Sequence, residues 1–314
     1  MRPRLTIELA HTKGFCAGVS VALDITDKVL ARYGLPLYVR HAIVHNNYLV
    51  AHYKAKGIQF IESLDDVPVG SRVILSAHGS APSVYKKAKD RHLDIIDATC
   101  PLVRKVHMEA KKMNRRDYQI ILIGHRGHQE FIGTKGYIPP ERCHIVETES
   151  DIEALDLDIT QPIGVLTQTT LSVSDTRYLI KKIQARYPTL ILPPEKDICY
   201  ATQNRQDAVI DLLSRCDVIL ICGSQNSSNT TRLYELAREK SEKKAYMLES
   251  ADAFTPDMLA GVQRVGISSG ASVPEIIVDT LVSRIKQWYP KSLCEQRVSI
   301  EGDIWFPLPR ALRT

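Results

Sequence analysis

The chain has no apolar run approaching the roughly 20 residues of a membrane-spanning helix. Its opening residues, Met1 to Leu9, place Glu8 where a secretory signal would need its apolar core, so the expected location is cytoplasmic. There is no CxxC pair, which excludes a local zinc knuckle. The 7 cysteines are odd in number and unpaired in spacing, which argues against a secreted disulfide framework. No GxGxxG follows the first strand-like run and no GxxxxGK[ST] occurs, so nucleotide-cofactor sites are disfavoured. Charge of one sign is also scarce in excess: 41 basic against 36 acidic residues leave only +5. That balance, with no helix-turn-helix or basic groove in view, speaks against a nucleic-acid-binding regulator. Lys111-Lys112 with Arg115-Arg116, and Lys243-Lys244, read as helix ends rather than a binding stripe.

What is present is a series of short apolar runs, each followed by a polar loop and then an amphipathic stretch. Val73-Ile74-Leu75 leads into Ala77-His78-Gly79-Ser80, and Ile120 to Ile123 into Gly124 to His128. Ile163 to Leu166 leads into Thr167 to Thr170, Val218 to Ile221 into Cys222 to Asn229, and Val265 to Ser268 into Ser269 to Ser272. Runs this short, without polar alternation, predict parallel strands buried on both faces. Val19, Ala22, Leu23 and Val29 have helical spacing; so do Val103, Val106, Ala110 and Met113, and Ala208, Val209, Leu212 and Leu213. The expected class is α/β, built from repeated strand–helix steps. Parallel sheets bind ligands beyond the carboxyl ends of their strands, where all five polar loops fall.

Cys16, Cys100 and Cys199 each stand where a strand-like run gives way to a helix-like one. Pro101 marks Cys100 as a helix N-cap. A thiolate at a helix start is stabilised by the free N–H groups there. Three such thiolates suggest a metal or cluster with one coordination position left open, and the residues alone leave zinc and iron–sulfur both possible. Cys143, Cys216, Cys222 and Cys294 are assigned to core or surface. His45, His78 and His128 lie in loops, and together with Ser227, Ser228, Asn229 and Ser272 they make a donor set for phosphate-type oxygens. Glu130, placed in a polar loop beside His128, is a candidate proton relay with a hydroxyl such as that of Thr169.

Several longer motifs occur in one order along nearly the whole chain. They are Gly14-Phe15-Cys16-Ala17-Gly18-Val19, Val44-His45-Asn46, Ser76-Ala77-His78-Gly79, Asp97-Ala98-Thr99-Cys100-Pro101, Thr167-Gln168-Thr169-Thr170, Asp197-Ile198-Cys199-Tyr200 and Asn226-Ser227-Ser228-Asn229. On these the chain resembles the 4-hydroxy-3-methylbut-2-enyl diphosphate reductases, the LytB family, which close the non-mevalonate (MEP) isoprenoid pathway. The resemblance implies three similar α/β units in a pseudo-threefold arrangement around a central [4Fe–4S] cluster. It implies Cys16, Cys100 and Cys199 as cluster ligands, with the fourth iron free for the substrate hydroxyl. It maps a diphosphate site onto His45, His78, His128, Ser227, Ser228, Asn229 and Ser272, and catalytic roles onto Glu130, Thr169 and His128. The reaction implied is a two-electron, two-proton removal of the hydroxyl, with ferredoxin or flavodoxin as electron donor. The units expected are residues 17–99, 100–196 and 197–288, the last joined by an N-terminal strand in 1–16, with a tail, 289–314, closing over them.

The chain departs from the family's usual pattern at His11-Thr12-Lys13, Ser20-Val21, Ala42, Asn47 and Gln129, a set clustered around the first cysteine and the first histidine loop. Two other readings accommodate the same residues: a divergent paralogue with reduced or shifted activity, and a non-redox metal-dependent hydro-lyase acting on a phosphorylated metabolite.

Overall fold

The computed structural model describes residues 5–193, 197–239, 244–297 and 304–313. Lys243 therefore lies outside the described residues, as do 1–4 of the expected N-terminal strand, 194–196 of the second expected unit, and 298–303 and 314 of the tail. In chain order the elements begin with β1 (Thr6–Leu9) and α1 (Ala17–Tyr33). Next come β2 (Tyr38–Arg40), α2 (Asn47–Ala55), β3 (Gln59–Ile61), β4 (Arg72–Leu75), α3 (Pro82–Asp90) and β5 (Asp94–Asp97). After α4 (Pro101–Asn114) follow β6 (Gln119–Ile123), α5 (Gln129–Lys135), β7 (Cys143–Val146), α6 (Glu149–Glu153), β8 (Ile163–Thr167) and α7 (Val173–Arg186). The last stretch is α8 (Tyr200–Leu213), β9 (Val218–Cys222), α9 (Ser228–Glu239), β10 (Lys244–Leu248), β11 (Arg264–Ser269), α10 (Glu275–Trp288) and β12 (Leu293–Gln296). No helix among the described residues is long and apolar enough to cross a membrane.

The strands form three sheets, ordered β3-β2-β4-β5, β7-β6-β8 and β10-β9-β11-β1-β12, and every pairing between them is parallel. A single parallel bridge, Gly164 to Ile191, extends the β8 edge. With that bridge counted, each sheet repeats one design. Its first strand lies between the second and third, and a fourth pairs with the third. β1, from the other end of the chain, is the fourth strand beside β11.

The chain divides into two compact units. One comprises residues 1–17, 45–47 and 200–304 and contains the sheet of β1 and β9 to β12. Its β9 side chains alternate between two cores: Val218, Leu220 and Cys222 pack with Val278, Leu281 and Ile285 of α10, while Ile219 and Ile221 pack with Leu212 of α8 and Leu233 of α9. A strand buried on both faces needs no polar alternation, which is why the Val218 to Ile221 run is unbroken.

The other unit comprises 18–44, 48–199 and 305–314 and holds the remaining two sheets. In β6, Ile120 and Leu122 meet Val106, Ala110 and Met113 of α4, whereas Ile121 and Ile123 meet Leu179 and Ile183 of α7. Of the tail, Leu293–Gln296 is the exposed edge strand β12 in the first of these units. Residues 307–313 lie along α1 and β5 in the second, where Arg32 Nη1 donates to the Ala311 carbonyl at 2.8 Å.

Candidate active site

Each of the three cysteines is fixed by the same local device. Cys16 N–H donates to the Ala271 carbonyl at 3.1 Å, Cys100 N–H to Ala77 at 2.9 Å and Cys199 N–H to Thr169 at 3.1 Å. Ala271, Ala77 and Thr169 each stand two residues past the end of a strand, respectively β11, β4 and β8. Each of those is the third strand of its sheet. Each cysteine then opens a helix: Cys100 is the N-cap of α4 with Pro101 at its first position, and Cys16 and Cys199 immediately precede α1 and α8. None of the three forms a disulfide, and all three are partly exposed. By contrast Cys216 and Cys222 are buried beside and within β9, and burial pushes the Cys222 thiol up to about 12, so it stays protonated. Cys143 lies in β7 and Cys294 on the exposed edge strand.

In the second unit the loops after β4, β6 and β8 bring His78, His128, Glu130 and Thr169 together. Glu130 was expected in a loop; it is the second residue of α5, because His128 caps that helix by accepting the Glu130 N–H at Nδ1, 3.2 Å away. An acceptor at Nδ1 leaves the proton of neutral His128 on Nε2, which is thereby a donor. The His78 and His128 rings meet edge to face, with centroids 5.9 Å apart. Glu130 is 3% exposed. Its Oε1 accepts the Thr169 N–H at 2.6 Å and its Oε2 the Thr169 hydroxyl at 2.9 Å. Burial raises its carboxyl to about 7 against these two hydrogen bonds, which act to lower it. A carboxyl poised near neutrality, bonded to a hydroxyl, is the arrangement that donates and recovers a proton.

In the first unit Ala271 links the other candidates. Its N–H donates to Asn229 Oδ1 at 2.9 Å, and the next residue, Ser272, donates from Oγ to the His45 carbonyl at 2.9 Å. Ser227 Oγ accepts the Thr230 N–H at 3.3 Å at the start of α9, so Ser227, Ser228 and Asn229 stand at a helix N-terminus. Asn229 Nδ2 is buried with no partner among the described residues, a donor left available in that loop.

The comparisons with known proteins agree in one direction. The family model described as LytB protein matches residues 7–286. The chain belongs to the LytB family. A 4-hydroxy-3-methylbut-2-enyl diphosphate reductase of Methylococcus capsulatus is 43% identical over 98% of this chain and 99% of its own. One of Cutibacterium acnes is 46% identical over 97% and 94%. Among solved structures, the E-1-hydroxy-2-methyl-but-2-enyl-4-diphosphate reductase of Plasmodium falciparum superposes with a TM-score of 0.95 at 34% identity, covering 99% of this chain and 97% of that one. The expected α/β class with parallel sheets holds.

Within this LytB chain the sequence reading passed over Asp197 and His107. Asp197 Oδ2 accepts the Thr167 N–H at 2.9 Å, tying the approach to Cys199 onto the end of β8, and burial raises its carboxyl to about 6. The signal was there: Asp97 and Asp197 stand shortly before Cys100 and Cys199. His107 lies under the His78 loop, buried, its ring 4.6 Å from that of Tyr137, and burial lowers it to about 4. Nothing in its sequence neighbourhood marked it. Of the departures, Gln129 is the first residue of α5, where proline and any other residue fit alike, since that N–H has no helical acceptor. Asn47 is held by Nδ2 to Glu249 Oε1 at 2.5 Å and to Ser224 Oγ at 3.2 Å.

Proposed function

We propose that the protein is a reductase that removes the hydroxyl of 4-hydroxy-3-methylbut-2-enyl diphosphate, giving isopentenyl and dimethylallyl diphosphates. In this reading Cys16, Cys100 and Cys199 hold a [4Fe–4S] cluster with one iron open. The observation that carries the ligand assignment is the repeated anchor: three partly exposed thiols, each opening a helix, each held at its own N–H by a loop carbonyl two residues past a strand end. Among the described residues no three His, Cys, Asp or Glu side chains stand close enough for a single ion. A cluster several ångströms wide takes its thiolates at wider spacing, and the donor chemistry fits: three reduced cysteines beside no disulfide. When bound, that group supplies single electrons and a Lewis-acidic iron for the substrate oxygen.

The chain's own residues do the rest. His45, His78, His128, Ser227, Ser228, Asn229 and Ser272 supply donors for the diphosphate oxygens, with the start of α9 adding backbone N–H groups. Thr169 hydrogen-bonds the substrate alcohol and passes it the proton held at Glu130. The leaving oxygen departs as water, so two electrons and two protons convert the C–O bond to C–H. Electrons come from ferredoxin or flavodoxin. The segments 17–99, 100–196 and 197–288 count as three copies of one design, which the common strand order supports.

Anaerobic purification with iron and acid-labile sulfide analysis tests the ligand set. Cys100→Ser loses most of the iron and the brown colour, whereas Cys143→Ser keeps both. Equal iron in the two variants removes Cys100 from the ligands.

A further inference from the structure

The helix that opens at Cys100 turns a basic face to solvent. Arg104, Met108, Lys111 and Arg115 are all exposed. Their spacing of i, i+4, i+7 and i+11 sets them on one stripe of α4 and its C-cap. Lys112 and Arg116 flank the stripe, and a groove of about 420 Å³ runs between Met108 and Arg116. Lys111, Arg115 and Arg116 make no ion pair among the described residues, and Lys112 only a 3.6 Å contact to Glu109.

The helix-end reading of Lys111, Lys112, Arg115 and Arg116 holds as far as it goes. They occupy the last turn and the residues beyond, where the helix dipole favours cations. Arg104, in the first turn, is answered by Asp97, whose Oδ2 accepts from its Nη2 at 3.2 Å. These accounts stop short of one residue on the same face. Met108 is 59% exposed, a large apolar side chain in the middle of a charged stripe. An apolar centre with a charged surround is the make-up of a small interface rather than of a solvated helix face.

We propose that this face docks a small acidic one-electron carrier protein. The proposal rests on the reductase reading, since the reaction needs electrons and the chain has no nicotinamide-binding fingerprint through which a hydride donor would act. A rise of about 1.5 Å per residue places Arg104 about 6 Å and Met108 about 12 Å along the axis from Cys100, so a carrier seated there sits within a few turns of a cluster ligand. Electron-transfer contacts are small, under about 1,200 Å², and are steered by opposite charge rather than by extensive burial, which a stripe of this size satisfies. Each docking passes one electron from the reduced carrier into the protein and releases the carrier oxidised. Two dockings supply the pair that, with two protons, reduces one substrate and forms one water.

The test uses the iron-loaded protein with two reductants: an acidic [2Fe–2S] ferredoxin kept reduced enzymatically, and reduced methyl viologen, which needs no docking face. Lys111→Glu combined with Arg115→Glu raises KM for ferredoxin at least tenfold and flattens its dependence on salt. The viologen-driven rate is unchanged, which shows that the fold and metal content survive. Unaltered ferredoxin KM and salt dependence overturn the proposal. So does duplex DNA retained on a filter by the wild type and lost in the variant while ferredoxin kinetics stay the same, which assigns the stripe to nucleic acid. Absence of viologen-driven turnover in the wild type contradicts the reductase reading itself, a result distinct from either.

Discussion

Glu130 is where burial, hydrogen bonding and titration meet. Its two oxygens are both taken by Thr169, and the low-polarity surroundings hold it protonated up to about pH 7. Glutamine reproduces the protonated shape: its carbonyl accepts from Thr169 N–H and its amide donates to Thr169 Oγ1. Glu130→Gln therefore folds and keeps iron but lowers kcat by about 10²-fold or more, the usual loss on removing a general acid; near-normal turnover removes Glu130 from the mechanism. The wild-type rate falls as pH rises through about 7, because the acid form is the donor, and the variant lacks that limb. Stability has a matching sign. Between the ordinary carboxyl value and about 7 the folded chain binds a proton that the unfolded chain has released, so stability falls as pH rises through that window. Glu130→Gln abolishes the loss, and thermal melts above pH 7 show the variant more stable by up to about 3 kcal/mol. The sequence offers Glu130 and Thr169 as candidates; their two-point contact is not legible there, since the partners are 39 residues apart and meet only through the ends of β6 and β8.

At the scale of elements, the central strands were readable because each is an unbroken apolar run buried on both faces. Short strands that are partly exposed, as β3 and β7, or fully exposed, as β12, carry no such signal, and β12 pairs with β1 across almost the whole chain. The start of α5 was misread as loop because Gly124 to His128 is polar and its N-cap is a histidine rather than serine or aspartate. The loop holding His78 depends on a close approach of its backbone to His107. Gly79 has φ +80°, and a Cβ there would lie 2.5 Å from His107 Cε1, on a ring already packed at a tilt against that of Tyr137. Gly79→Ala costs about 1–3 kcal/mol from backbone strain and overpacking together. In a His107→Ala background the same substitution costs less, because the steric part is gone. Equal costs in both backgrounds, by denaturant titration, contradict the close packing of His107 against Gly79.

For the whole molecule, one strand order appears three times once the Gly164–Ile191 bridge is counted as a fourth strand beside β8: the first strand inside, a polar loop after the first and third strands, and a cysteine after the fourth. No residue-level repeat betrays it, because the order is kept by sheet pairing and loop carbonyls rather than by side chains. The N-terminal β1 completes the last sheet, a closure that the sequence order hides. A group bound by the folded chain alone stabilises it by mass action, so chelating the iron lowers the melting temperature of the wild type and leaves that of Cys100→Ser unchanged. An identical shift in both proteins separates metal loss from the cysteine. The central claim is settled most directly by the products and electron stoichiometry of one reaction. Anaerobically purified protein, given 4-hydroxy-3-methylbut-2-enyl diphosphate and reduced methyl viologen, forms isopentenyl and dimethylallyl diphosphates with two viologens oxidised per molecule converted. Iron-loaded protein that leaves the substrate intact, or converts it without consuming reductant, contradicts the account.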